Sequence, residues 1–115
     1  MKRLFGFFFL ALFSTGAFAE ALTEQQKIDA LLNAFDTPGI TFVRNGEEHD
    51  GAWAKQHLQE KLKKAATAPT TAEGFIADIG STSAQSGKPY EIKTADGKTV
   101  ESSVWLKAKL DDLNK

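Results

Sequence analysis

The chain has 115 residues, no cysteine, and 14 basic against 15 acidic side chains, for a formal charge of −1. That balance lacks the basic footprint nucleic acids require, and without thiols the chain forms no disulfide, does no thiol redox chemistry and carries no lipid-modified cysteine. A chain of this size is expected to form one small domain, burying on the order of 60–65% of its extended surface.

The first residues read as a secretory leader. Lys2 and Arg3 are basic, Leu4 to Phe13 is apolar and rich in phenylalanine, and Ala17-Phe18-Ala19 fits the small-x-small rule for signal peptidase. Residues 1–19 are therefore expected to be removed, leaving 20–115 as a single globular domain. The apolar run falls short of the roughly 20 residues that span a bilayer. No transmembrane anchor is expected in the mature chain, which should be periplasmic or secreted. Losing Lys2 and Arg3 takes the 14 basic residues to 12 against 15 acidic, a charge of −3.

Thr23-Glu24-Gln25-Gln26 places a hydroxyl three residues before a glutamine, the reciprocal cap of a helix start. Ile28, Leu31, Leu32 and Phe35 then recur at helical spacing, and Asp36-Thr37-Pro38-Gly39 stops the helix. Ile40 to Arg44 is β-branched and aromatic and runs into Asn45-Gly46, suited to a type I′ hairpin turn; Glu47-Glu48-His49 returns. Asp50 is expected to cap a second helix reaching about Ala66, with Ala54, His57, Leu58, Lys61, Leu62 and Ala65 on one side. Glu60 and Lys64 are spaced for an ion pair on it. Thr67 to Pro69 is a break. Thr70-Thr71-Ala72-Glu73 repeats the capping box and opens a third helix carrying Phe75, Ile76 and Ile79, closed by Gly80. A polar loop, Ser81 to Gly87, leads to a strand at Tyr90-Glu91-Ile92-Lys93, an Asp96-Gly97 turn and a return through Val100. Ser102 or Ser103 should cap a last helix bearing Val104, Trp105, Ala108, Leu110 and Leu113. The order helix, hairpin, helix, helix, hairpin, helix predicts an α+β fold, its short antiparallel strands covered by helices on one face. The hairpin-then-helix unit occurs twice, and His57-Leu58-x-x-Lys61-Leu62 is echoed by Trp105-Leu106-x-x-Lys109-Leu110.

Thr70 to Tyr90 is the stretch most open to a functional reading. Ser86-Gly87-Lys88 resembles the end of a phosphate-binding loop, but six residues separate Gly80 from Gly87 where four are needed, and Pro89 stands where a hydroxyl belongs. A Ser-x-x-Lys dyad fails because Gln85 lies three before Lys88. The segment reads either as a turn shaped by glycine, proline and local serine bonds or as a surface of hydroxyls, amide and ammonium able to hold a carboxylate, phosphate or sugar. His57 is either a helix residue bonding backbone or a loop hydroxyl, or a recognition or catalytic imidazole working with Ser83 or Ser86. Glu47, Glu48, His49 and Asp50 cannot converge on a metal, since successive strand side chains face opposite ways. Arg44 admits surface charge, a brace to an acid such as Asp78, or an anion contact. Trp53 and Trp105 read as packing anchors or as a sugar or peptide platform. Lys61, Lys63 and Lys64 read as a solvated face or as a contact with an anionic envelope surface.

Four segments in order, Phe42-Val43-Arg44-Asn45-Gly46, His57-Leu58-x-x-Lys61-Leu62, Thr71-Ala72-Glu73-x-Phe75-Ile76 and Ser81-x-Ser83-x-x-Ser86-Gly87-Lys88-Pro89-Tyr90-x-Ile92, resemble the YfeK-like proteins. These are small exported proteobacterial proteins, a domain family of unknown function. The resemblance runs from about Thr23 to Trp105 and implies export without implying an activity. Some of those relatives carry a cysteine in the helix after the first hairpin, where this chain has Gly51, Ala52 and Trp53, so nothing dependent on that thiol carries over.

The function expected from the sequence is a non-enzymatic binding or accessory module for an envelope protein or cell-wall component, without cofactor or metal. Its candidate surface is Arg44, His57, Ser81, Ser83, Ser86, Lys88 and Tyr90. The alternatives are a small hydrolase using His57 with a serine of the 81–86 loop, and a structural or folding accessory without a defined ligand.

Overall fold

Two antiparallel hairpins joined through their first strands make the sheet of this protein, seen in a computed structural model that describes residues 21–115. The expected leader, 1–19, lies outside the described residues. The first hairpin is β1 (Thr41–Arg44) and β2 (Glu47–Asp50); the second is β3 (Glu91–Lys93) and β4 (Thr99–Glu101). The strand order is β2-β1-β3-β4, with every pairing antiparallel. Asn45 and Gly46 both take positive φ, 53° and 81°, as a type I′ turn requires. The second hairpin instead closes through a longer loop, in which Thr94 N–H donates to Lys98 O at 2.8 Å and only Gly97 has positive φ.

Register decides which side chains enter the core. His49, Phe42, Ile92 and Val100 align across the four strands and face the helices, while the opposite row carries Glu48, Val43, Glu91 and Glu101. Phe42 and Ile92 are fully buried. The alternation of period two thus buries one face and leaves the other to charged side chains.

Helix α1 (Glu24–Asn33) begins with the expected capping box: Gln26 N–H donates to Thr23 Oγ1 at 3.1 Å and Thr23 N–H to Gln26 Oε1 at 2.9 Å. It tightens into a 3₁₀ turn, Ala34–Asp36, that drives Phe35 into the core. There Phe35 meets Phe42 edge-on at 6.0 Å and Trp105 at 5.1 Å between ring centres. Helix α2 (Gly51–Lys64) is capped by Asp50, whose Oδ1 accepts from Trp53 N–H at 2.8 Å. Helix α3 is one turn, Ala72–Phe75, continuing as a π turn over Ile76–Gly80. Helix α4 (Ser102–Leu113) closes the chain and buries Trp105, Leu106 and Leu110.

Several local expectations are corrected. The third helix is capped by Thr71, which accepts from Gly74 N–H at 3.0 Å; with the start one residue later, Glu73 no longer occupies the reciprocal position. Its register instead comes from α1, because Ala72 N–H donates to Glu24 Oε1 at 2.9 Å. No side chain caps α4: Glu101 holds the capping position, and Ser102 is buried with its hydroxyl unpartnered among the described residues. Val104 is 58% exposed and Leu106 takes the core position, since β4 feeds α4 directly and sets its rotation. Glu60 pairs with Lys63 at 3.6 Å rather than with Lys64. Among the described residues no helix is long and apolar enough to cross a membrane.

The start of α2 rests directly on the 3₁₀ turn that follows α1. A Cβ on Gly51 would lie 1.9 Å from the Phe35 carbonyl oxygen, so the start of α2 can rest on the 3₁₀ turn only if residue 51 has no side chain. Gly51→Ala is expected to cost about 2–3 kcal/mol through overpacking against backbone, read as a lowered midpoint of urea unfolding. An unchanged midpoint would disprove this contact.

Candidate functional site

An open cleft of about 560 Å3 lies where the end of β1, one flank of α2 and the loop after the π turn meet. Its chemistry comes from Arg44 on β1, His57, Lys61 and Lys64 on α2, Gln85 on the loop and Tyr90 at the entrance to β3. The α2 residues recur at intervals of four and three, which puts them on one helix face. Glu60 and Asp78 add two carboxylates to the lining.

Tyr90 joins the core to the cleft. Its ring packs on Phe42 at 4.8 Å between ring centres, and its hydroxyl lies 3.3 Å from both His57 Nε2 and Lys61 Nζ. Lys61 also donates to Ile79 O at 2.9 Å and Thr82 O at 2.6 Å, and its ammonium sits 4.9 Å from the centre of the Tyr90 ring. An ammonium has three protons and no acceptor, so these bonds consume its donors and make the phenol oxygen an acceptor. The phenol proton is then free to point at His57 Nε2, which accepts it only as a neutral imidazole protonated on Nδ1.

The electrostatics agree with that assignment. Partial burial, then the positive charges of Arg44 and Lys61, hold His57 below its ordinary 6.5. Partial burial, then Arg44, likewise lowers Lys61, and burial raises Tyr90. His57 also stacks on Trp53 at 4.7 Å, and Trp53 on His49 at 3.5 Å, each pair within about 10° of parallel. The imidazole is therefore held by its ring face as well as by Nε2.

The seven candidates of the sequence divide into two groups of three, with Ser81 apart. Arg44, His57 and Tyr90 line the cleft. Ser83, Ser86 and Lys88 turn toward Asn45: Asn45 Nδ2 donates to Ser83 Oγ at 3.3 Å, Ser86 Oγ donates to Asn45 Oδ1, and Lys88 N–H donates to Ser86 Oγ at 3.2 Å. Backbone bonds from Ser83 N–H to Lys88 O and from Gly87 N–H to Ser83 O complete that turn. Ser81 works through its carbonyl, which accepts from Tyr90 N–H at 2.9 Å. The serines therefore fasten the loop to the first hairpin, and the bond from His57 runs to Tyr90. Among the described residues no hydrogen bond joins His57 to a serine.

Gln85 and the anchoring role of Lys61 were not read from the sequence. Arg44 Nη2 donates to Gln85 Oε1 at 3.1 Å, a contact across 41 positions that no local pattern signals and that was not among the three readings of Arg44. For Lys61 a signal existed: a lysine within the buried side of α2, next to Leu58 and Leu62, has to find acceptors where its stem is packed.

The fold and cleft define a small α+β domain built to present a fixed cluster of cations and a neutral histidine. The chain belongs to a family of unknown function (DUF5329), which matches residues 22–114. It is 43% identical over 68 residues to the uncharacterized protein YfeK of Salmonella typhimurium, covering 58% of this chain and 57% of that relative. The chain thus spans little more than half the length of this curated relative. No solved structure matches the chain.

A neutral His57 ties stability to pH. Because its folded pKa lies below 6.5, the unfolded chain takes up the proton first as pH falls. Stability is complete above 6.5 and declines below it until the lower folded pKa is passed. The lowered carboxylates of Glu24 and Asp96 act in a separate, more acidic range, below 4.5. An NMR titration should give His57 a midpoint under 6.5, and His57→Gln should flatten the decline in stability below pH 6.5. A midpoint at or above the ordinary value would refute the neutral assignment.

Proposed function

We propose that this is an exported, non-enzymatic module that captures a cell-envelope component, a protein or a cell-wall polymer, through the cleft of Arg44, His57, Lys64 and Tyr90. One observation carries the reading. Side chains from β1, α2, the loop and the entrance to β3 converge on one concavity of about 560 Å3, and those of Arg44, His57, Lys61 and Tyr90 are held by hydrogen bonds. A preformed concave site with a few convergent polar groups is the ordinary form of a ligand site. Recognition without turnover suits it, because His57 Nε2 is engaged by a phenol whose ionisation burial opposes. Export is supported by the leader pattern of Lys2, Arg3, Leu4 to Phe13 and Ala17-Phe18-Ala19. A core free of cysteine suits an exported domain that folds without oxidation.

Two measurements test this. Expressed as the full chain with a C-terminal tag in a Gram-negative host, the protein should be recovered from the periplasm with Glu20 as its first residue; cytoplasmic recovery with Met1 intact would end the export reading. Cross-linked capture from the envelope should fall at least tenfold for Arg44→Ala with Lys64→Ala, and persist for Ser86→Ala with Lys88→Ala, at matched thermal stability. Equal capture by all three proteins would place recognition elsewhere, and capture of nothing by the parent would remove the binding module.

A further inference from the structure

The Arg44 guanidinium is half satisfied in a way that specifies a ligand. Its Nε–H and the neighbouring Nη2 form one edge, two parallel donors spaced to match the two oxygens of a carboxylate or phosphate. Nη2 donates to the single amide oxygen of Gln85 at 3.1 Å, whereas Nε is buried with no hydrogen-bond partner among the described residues. No carboxylate lies within ion-pair distance of Arg44 among the described residues either. A buried donor without a partner is costly, and a charged one more so. Gln85 sits on an exposed loop and offers one oxygen where two fit.

We infer that this edge of Arg44 is the receptor for an oxyanion, a carboxylate or a phosphate group of the envelope ligand, which displaces the Gln85 amide and bonds Nε and Nη2 together. The inference rests on the reading of the cleft as the recognition surface and names the group recognised there. Lys64, exposed on the same wall, supplies a second cation. Lys61 contributes charge alone, its protons being committed to Ile79, Thr82 and Tyr90. The two acids set the limit. Glu60 is drawn toward Lys63 at 3.6 Å, and Asp78 stays exposed on the lining as an acceptor. Carboxylates beside the cations repel a polyanion and accept from hydroxyls, which favours one oxyanion borne on a hydroxylated ligand over a nucleic acid or polyphosphate.

The test uses two simple probes, acetate and inorganic phosphate, titrated into the mature protein and followed by NMR at the Arg44 Nε–H and the His57 ring. Saturable movement of the Arg44 signal, with a rise in the His57 midpoint as the bound anion offsets the charges around it, is the expected result. Response to acetate alone or to phosphate alone supports the proposal and identifies the source. Gln85→Glu places the protein's own carboxylate on the fork, so it should raise Tm by about 4 °C or more and weaken the probe at least tenfold. Arg44→Lys, which keeps the charge and loses the fork, should weaken it similarly, and Gln85→Ala should bind at least as well as the parent. Failure of both probes to move Arg44 at millimolar concentration, with envelope capture still dependent on the cleft, would overturn the oxyanion site and leave the binding module standing. Probe binding unaffected by Gln85→Glu and Arg44→Lys would also overturn it.

Discussion

Burying the Tyr90 ring while keeping its hydroxyl bonded is the constraint on which the other parts depend. A phenol at 1% exposure contributes apolar area to the core but needs partners for its oxygen. His57 and Lys61 supply them from α2, so the helix that closes the core also carries the wall of the cleft. The Tyr90 backbone is committed as well: its N–H donates to Ser81 O at 2.9 Å and its carbonyl accepts from Ser102 N–H at 2.8 Å. One residue thereby holds the loop, the start of β3 and the start of α4 in register. The same contacts that stabilise the domain position the groups of the cleft.

Lys61 shows how an otherwise unfavourable charge is tolerated in such a place. The chain leaves the π turn with the Ile79 carbonyl at its end, and helix carbonyl ends carry partial negative charge. Placing the ammonium there satisfies both the orphan carbonyl and the cation. Gly80 makes the geometry possible from the other side, since a Cβ on it would meet Leu106 Cδ1 at 2.6 Å and force that buried side chain to shift. The glycine read as a helix stop is thus also the point at which α4 packs against the turn. Partial burial first, and then Arg44 and Lys61 through space, lower the His57 pKa and favour the neutral ring that can accept the phenol proton.

What the sequence revealed and what it concealed divide along the range of the interactions involved. The α+β order of helix, hairpin, helix, helix, hairpin, helix was legible because Thr23, Asp50 and Asn45-Gly46 are local signals that act over two to four residues. The start of α3 was displaced by one because two threonines compete for the cap, and the decision is made by Glu24, 48 positions away. Arg44, His57 and Tyr90 were legible as candidates by their chemistry alone. Their separation from Ser83, Ser86 and Lys88 was not, since it depends on Asn45 serving two purposes, as a turn residue with positive φ and as the side chain that holds the serines. Lys61 was visible but read as solvated, because nothing local announces the carbonyls of a segment some twenty positions further on.

The strand order also relates the two hairpin-helix units to each other. Because β1 and β3 pair at the centre, the two hairpin-helix units lie about an approximate two-fold relation, with α2 after one hairpin and α4 after the other. Leu58 and Leu106 are equivalent in the echoed sequence, and both are fully buried. Lys109 lies 5.0 Å from the centre of the Trp105 ring, as Lys61 lies 4.9 Å from that of Tyr90. After α2 come α3, the π turn and the serine loop before the return to β3, and this segment brings the Ile79 and Thr82 carbonyls to Lys61 and Gln85 to Arg44. Lys109 rests on an aromatic ring, whereas Lys61, in the equivalent place of the echo, also finds those carbonyls and becomes a fixed charge beneath the cleft.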